Sequence, residues 1–368
     1  MAQNPTINSI ILESGIQSMI INYSGVYPSS ICELPNNKFI VTSRNNIYEF
    51  DLYDKSISLY DNNYGVNGHS GSILSCCLLG NNKFLITGSE DRTIRAWNIK
   101  SGNCEYVLKG HTYEVTLIVP FKKGHIISTD LLTIKIWDVA SKQCLRTIQA
   151  PNIDSLCVTK NYIIYGNYRV IILDNKTFEQ RGIFASTGNI MSIIQLDESH
   201  IICGSEDKLI TIWNIDTFEC KYELKGHTGI VSDLSLLQDG RLVSGSYDKT
   251  IRIWNLDTYE CENILENNPS LPVNKIKVLD NGWIASYYSG IIRFWNPDEF
   301  PKPPEPTFNE NGESLDKDGS ILPNCAICWG IINPNRPIEK LDCGGMFHCK
   351  CIKDMKYCPI CNQLVVQL

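Results

Sequence analysis

Short runs of alternating apolar and polar residues, broken by Gly, Asp, Asn and Ser, fill the first 296 of this chain's 368 positions. Thr250-Ile251-Arg252-Ile253-Trp254 is one such run. A period of two between turn residues predicts half-buried strands joined by tight turns. The runs also recur. GSEDRTIRAWN (Gly88 to Asn98), GSEDKLITIWN (Gly204 to Asn214) and GSYDKTIRIWN (Gly245 to Asn255) are near-copies. Weaker copies end at Trp137–Asp138 and Trp295–Asn296, and degenerate ones at Phe50–Asp51 and Leu173–Asp174. The anchors Phe50, Trp97, Trp137, Leu173, Trp213, Trp254 and Trp295 therefore recur every 36 to 47 residues. Four strands fit each interval, the size of one propeller blade. The expected fold is an all-β, seven-bladed propeller over residues 1–296.

Gly-His pairs at Gly68–His69, Gly110–His111 and Gly226–His227 each precede a Trp-Asp or Trp-Asn. With these the body of the chain resembles the WD-repeat family, three blades strongly. The resemblance implies a buried network of His, Ser or Thr, turn Asp and strand Trp in each complete blade. The sixth blade supplies His227, Ser244, Asp248 and Trp254, and the second His69, Thr87, Asp91 and Trp97. The fifth keeps Asp207 and Trp213 but has Ser186 and Cys203 in place of the His and Ser. In the third the turn is a residue shorter, so spacing does not assign Asp130 a place. A His beside an Asp is also half of a catalytic constellation, but the repeat accounts for the pairing without chemistry.

The last blade runs into PDEFPKPPEP after Asn296, and prolines cannot continue a paired strand. ESGIQSMIINYSG (Glu13 to Gly25) reads like the turn and outer strand Lys100 to His111. It is expected to complete the seventh blade and close the ring, which removes open edges; the alternative is a partial eighth blade.

Composition narrows the partners. The formal charge is −7, from 33 basic and 40 acidic side chains, without a Lys/Arg-rich run, which argues against nucleic acid. No apolar stretch is long enough to span a bilayer, and no secretory signal is expected, since MAQNPTINS lacks a basic segment followed by an apolar one. An intracellular protein is expected, cytoplasmic or nuclear. Nine of the 16 cysteines are spread through the body and seven crowd into the last 44 residues. Cys104, Cys144, Cys220 and Cys261 each follow a Trp anchor by seven residues, and are expected to be packing residues on an outer strand.

Residues 297–324 are rich in Pro, Glu, Asp, Asn and Gly and read as an extended acidic linker. Residues 325–368 carry Cys325, Cys328, Cys343, His348, Cys351, Cys358 and Cys361. Two CxxC pairs bracketing a Cys…His-x-x-Cys core are a zinc signal, because thiolates and imidazole suit a closed tetrahedral site. CAIC…CGGMFHCKCIKDMKYCPIC resembles a RING finger. The resemblance implies a first zinc on Cys325, Cys328, His348 and Cys351, and three ligands of a second, Cys343, Cys358 and Cys361. The fourth falls at Gly345; Cys349 is the nearest substitute, with Asp342 or a water behind it. It further implies that a ubiquitin-conjugating enzyme docks on Ile327, Met355 and Pro359, although Ile327 and Met355 also suit a small core beside Trp329. Asn362 stands where many active RING fingers carry a basic residue.

Two functions follow as expectations: a RING-type ubiquitin ligase whose propeller recruits the substrate, or a non-catalytic scaffold with a zinc-stabilised tail. Gly345 and Asn362 favour the second, and Ile327, Met355 and Pro359 favour the first, which is the leading expectation. On the propeller, the resemblance implies partner contacts from Glu90, Glu206, Tyr247 and Glu114, which suit a basic or neutral protein or peptide; a merely solvated rim is the plainer reading. Ile/Asn/Lys-rich usage, degenerate blades and this domain pairing also resemble WD-repeat proteins of large DNA viruses.

Overall fold

The computed structural model describes residues 7–12, 18–23, 28–34, 38–51, 56–59, 68–80, 83–266, 271–288, 291–296, 338–340 and 346–348. Every regular element among these is a β-strand. The chain divides into two compact units, Met1–Trp254 with Asn263–Glu299, and Asn255–Glu262 with Phe300–Leu368. In the second unit Ile338–Lys340 pairs antiparallel with Met346–His348.

Six four-stranded antiparallel meanders and one five-stranded sheet make seven blades. The second blade shows the plan: Ile73–Leu79 innermost, then Phe84–Ser89, Thr93–Asn98 and, outermost, Cys104–Lys109. The second strand is the most buried, every residue after Phe84 being buried, because blades stack on both of its faces. Each Trp anchor but one is buried to near zero exposure; Trp213 is the half-buried exception. The Asp or Asn after an anchor starts the turn to the outer strand in the second to fifth blades. Asn98, Asp138, Asp174 and Asn214 each accept, through Oδ1, the backbone N–H groups two and three residues on. This Asx turn leads to one left-handed residue, Gly102, Lys142, Phe178 or Phe218, before the outer strand begins.

The seventh blade is composite. Lys275–Val278, Ile284–Tyr288 and Ile291–Trp295 come from the end of the repeat region, and Ser18–Tyr23 pairs antiparallel with the last of them, Ile20 opposite Arg293. A further strand, Ile7–Leu12, adds outside it, which the sequence reading did not anticipate.

Blades are joined at two recurring positions. The glycine of the GS-D motif lies against the next inner strand: a Cβ on Gly88 would meet Val115 Cγ1 at 2.6 Å, on Gly204 Val231 Cγ1 at 2.7 Å, and on Gly245 Val273 Cγ1 at 2.7 Å. Only a residue without a side chain allows that approach. Nearer the axis, a side-chain oxygen of one inner strand accepts a backbone N–H from the next. Ser30 accepts from Cys76 (3.2 Å), Ser75 from Ile118 (3.0 Å), Ser192 from Leu234 (3.2 Å) and Asp233 from Ile276 (3.0 Å).

Candidate functional site

In the second blade His69 Nδ1 is 2.8 Å from Asp91 Oδ2, and His69 Nε2 is 2.8 Å from Thr87 Oγ1, which accepts from Trp97 Nε1 at 2.8 Å. The sixth repeats this with His227, Asp248, Ser244 and Trp254 at 2.7, 2.7 and 2.8 Å. The indole only donates and the carboxylate only accepts, so each hydroxyl accepts from its Trp and each histidine donates from Nδ1 to its Asp. Burial holds His69 below the ordinary imidazole value, against the pull of Asp91. At Asp91 and Asp248 burial opposes ionisation, but hydrogen bonds from the histidine and from Thr93 or Thr250 outweigh it and hold both carboxyls well below the usual range.

The third blade has the same network. His111 Nδ1 lies 2.9 Å from Asp130 Oδ2, His111 Nε2 bonds Ser128 at 2.6 Å, and Trp137 donates to Ser128 at 2.8 Å. Spacing missed this because Asp130 stands two residues after Ser128, where Asp91 and Asp248 stand four after their hydroxyl. Asp130 closes the shorter turn by accepting from Leu132, Thr133 and Thr112. In the fifth blade Cys203 offers no good acceptor, and Trp213 Nε1 donates instead to Thr211, 2.9 Å away in its own strand. The seventh keeps only the Trp295–Ser286 bond, 3.1 Å. The three histidine side chains are 0 to 1% exposed, so no substrate reaches them, and the networks are structural.

Strands alternate in direction, so the turn between second and third strands opens on the same face as the loop entering the innermost strand. Backbone bonds tie the two: Glu90 N–H to Ser72, Glu206 to Asn189 and Tyr247 to Ile230, each 2.9 Å. Glu90, Glu114, Glu206 and Tyr247 are all exposed on this face, although Glu90 Oε2 also accepts from Ser72 N–H at 2.9 Å. Sequence reading overlooked the exposed bases in the same turns, Arg44, Arg92, Lys208 and Lys249, which sit at left-handed positions just past the turn Asp or its counterpart. The face therefore carries both charges.

It also carries an apolar patch. Tyr113 (42% exposed), Leu131 (48%), Leu132 (41%) and Tyr168 (66%) project from the loops of the third and fourth blades. Exposed Pro151 lies among them. The loops interlock: Ala150 and Asn152 donate to the carbonyls of Leu132 and Leu131 (2.9 and 2.8 Å), and Asn167 Nδ2 to that of Pro151 (3.2 Å). Where the other turns present Glu90 and Arg92, or Glu206 and Lys208, the third presents two leucines.

Two of the outer-strand cysteines require a correction, whereas Cys104 does pack, against the cluster that holds Ile40, Leu85 and Trp97. Cys144 and Cys220 are exposed, and Cys104 and Cys261 half-buried, because an outermost strand has no sheet beyond it to pack on. Of the tail residues, Cys325, Ile327, Cys328, Cys343, Cys351, Met355, Cys358, Pro359 and Cys361 lie outside the described residues, as does the linker. His348 ends the strand Met346–His348. Among the described residues no cluster of three or more His, Cys, Asp or Glu is placed to hold a metal, and no helix is long and apolar enough to cross a membrane.

The chain thus carries WD40 repeats on a seven-bladed β-propeller, a fold that serves as a protein-interaction scaffold. The family described as WD domain, G-beta repeat matches residues 63–98 and 218–255. Autophagy-related protein 16 of Arabidopsis thaliana is 23% identical over 187 residues, 49% of this chain and 30% of that protein. The U5 small nuclear ribonucleoprotein 40 kDa protein of Dictyostelium discoideum is 28% identical over 216 residues, 52% of this chain and 60% of that one. WD repeat-containing protein pop1 of Schizosaccharomyces pombe is 26% identical over 196 residues, 48% of this chain and 25% of its own. The match thus spans less than two thirds of each relative. Among solved structures, the WD40 β-propeller domain of Doa1 superposes with a TM-score of 0.66 at 18% identity, covering 81% of this chain and 99% of that one.

Proposed function

We propose that the propeller recruits a protein partner on the face that carries Tyr113, Leu131, Leu132 and Tyr168, and that the tail makes the chain a RING-type ubiquitin ligase acting on that partner. The apolar patch carries the recruitment reading. Exposed apolar side chains clustered on neighbouring, hydrogen-bonded loops mark a binding site more often than chance, and here they replace the charged turns of neighbouring blades. Glu90, Glu114 and Glu206 are matched by Arg44, Arg92, Lys208 and Lys249, so the partner that fits is an uncharged segment with aliphatic or aromatic side chains.

The ligase reading rests on the tail's donor set. Cys325, Cys328, His348 and Cys351 would hold one zinc ion, which fixes the finger's shape and takes no part in covalent chemistry. Ile327, Met355 and Pro359 would dock a conjugating enzyme and hold its ubiquitin thioester in reach of a lysine, a positioning effect. Gly345, where a fourth ligand of the second site belongs, and Asn362 favour a second reading: the same recruiting propeller with a zinc-stabilised tail that transfers nothing.

An autoubiquitination assay with a panel of conjugating enzymes separates the two. Transfer that Ile327→Ala abolishes supports the ligase; inertness with every enzyme leaves the scaffold. Partner capture from lysate should fall at least tenfold in the Leu131→Asp/Leu132→Asp variant, with melting unchanged. Undiminished capture of every wild-type partner refutes this face.

A further inference from the structure

Nine cysteines of the described residues are free thiols, and two of them touch. Cys32 lies on the inner strand of the first blade, Pro28–Leu34, and Cys76 on that of the second, Ile73–Leu79. Their sulfurs are 3.0 Å apart across the blade interface, in a cluster that includes Ile40, Leu85 and Trp97. Both are buried, each with 8% of its surface left exposed. Propeller packing needs no thiol here, since a pair of small apolar residues fills the same space.

We propose that Cys32 and Cys76 form an oxidisable dithiol, which hydrogen peroxide closes to a disulfide fastening the first blade to the second. The surroundings give the two sulfurs different roles. Cys76 is drawn below the ordinary thiol value by its hydrogen bond with Cys32, against burial, and by Ser30, whose Oγ is 3.3 Å from Cys76 Sγ. Cys32 is pushed well above that value by the same hydrogen bond and by burial. Lys277, on the neighbouring seventh blade, favours the thiolate in both. Cys77 faces a different cluster, and burial pushes its thiol far up. Ser30 Oγ lies within reach of Cys76 Sγ and not of Cys32, where its hydroxyl can donate to a thiolate, so Cys76 is the nucleophile and Cys32 the resolving thiol.

The chemistry balances with peroxide as the two-electron oxidant. Cys76 thiolate attacks one peroxide oxygen, the O–O bond breaks, and the departing hydroxide takes up a proton to leave as water. Cys76 is then a sulfenic acid. The Cys32 sulfur attacks Cys76 Sγ, the S–O bond breaks as the S–S bond forms, and the oxygen leaves as a second water with the proton from Cys32. The product links strands separated by most of a repeat, in the blade next to the composite seventh blade where the ring closes. Separation of the first blade from the second would then have to break a covalent bond.

The test treats the native full-length protein with hydrogen peroxide, alkylates remaining thiols after denaturation, and maps peptides without reduction. A Cys32–Cys76 linked peptide and a higher melting temperature are expected, both reversed by dithiothreitol. The linkage should persist in Cys77→Ser, which shares the peptide. In Cys32→Ser, dimedone should trap a sulfenic acid at Cys76, whereas in Cys76→Ser it should trap none at Cys32. Recovery of Cys32 and Cys76 as alkylated thiols, at a peroxide dose that oxidises the tail cysteines, overturns the proposal. So does a disulfide that forms equally in urea, since proximity in the fold would then contribute nothing.

Discussion

Replacing Ser244 by Ala removes one oxygen and strands two polar groups. Ser244 Oγ accepts from Trp254 Nε1 at 2.8 Å and meets His227 Nε2 at 2.7 Å, with Ser244 0% and Trp254 1% exposed. No water reaches either orphan, and a buried group left without its partner costs about 1–3 kcal/mol. Trp213 escapes this in the fifth blade by donating to Thr211, but the matching position in the sixth is Arg252, which has nothing to accept with. The expected loss is therefore about 2–4 kcal/mol, two such penalties with some relaxation. At roughly 2–4 °C per kcal/mol for a fold of this size, that lowers melting by about 4–16 °C. Ser244→Cys fills the space but accepts poorly, as Cys203 does, and should fall nearly as far. Thermal and urea unfolding followed by tryptophan fluorescence reads both variants. A loss under about 0.5 kcal/mol for Ser244→Ala, within the range of an ordinary surface change, would refute the hydrogen-bond account. Wild-type melting by the Cys variant alone would show that volume matters and hydrogen bonding does not.

Acid should weaken the propeller before the carboxylates titrate. Burial lowers His69 and His111 below 6.5 in the folded state, so the unfolded chain binds protons first; stability is whole above 6.5 and declines as pH falls below it. Melting temperature measured from pH 7.5 to 5 should drop, and less steeply in a His69→Gln/His111→Gln variant than in wild type. Gly245→Ala would drive a methyl to 2.7 Å from Val273 and 3.0 Å from Ile276, and should cost about 1–3 kcal/mol in urea unfolding. Elemental analysis should find at least one zinc per chain, and chelation should unfold the tail while the propeller's melting stays in place; under half a zinc refutes the metal reading, and a value nearer one than two assigns the deficit to Gly345. Ile327→Ala should retain that zinc while losing ubiquitin transfer, whereas Cys325→Ala should lose both.

What the sequence reveals depends on whether a feature lies along one strand or between strands. The Trp anchors, the GS-D turns and the number of blades are legible because each is a local pattern repeated. Two of the three complete networks are legible for the same reason, with four residues at fixed offsets. The third, around His111 and Asp130, is hidden by a turn that reaches the same geometry through a different spacing. The Ser30, Ser75, Ser192 and Asp233 joins are hidden more deeply, since each partner is a backbone N–H some 40 residues on and a backbone group leaves no mark in sequence. The same holds for the recruiting face. Glutamates stand out in a motif, but that Tyr113, Leu131, Pro151 and Tyr168 share one surface follows only from interlocked loops of two blades.

The distribution of networks indicates why so irregular a set of repeats closes into a ring. Three blades carry the full His–Asp–hydroxyl–Trp set, one carries the Trp–Ser half, and the first and fourth replace the Trp with Phe50 and Leu173. If these networks were the ring's main cement, the degenerate blades would be its weak points. Their cores are instead apolar and continuous: Phe39 stacks on Phe50 at 4.8 Å and meets Phe294 of the seventh blade at 5.2 Å. In the fourth blade Ile164, Val170 and Ile172 pack with Ile190, Ile193 and Ile201 of the fifth. Inter-blade packing thus holds the ring throughout, and the buried networks fix the turns of the blades that have them. The third blade combines both properties, because Asp130 anchors the backbone at Thr112, Leu132 and Thr133 while the intervening side chains stay free to face solvent. A turn held from beneath by a buried carboxylate can present two leucines without collapsing onto them, and that rigidity is what an apolar recruiting surface requires.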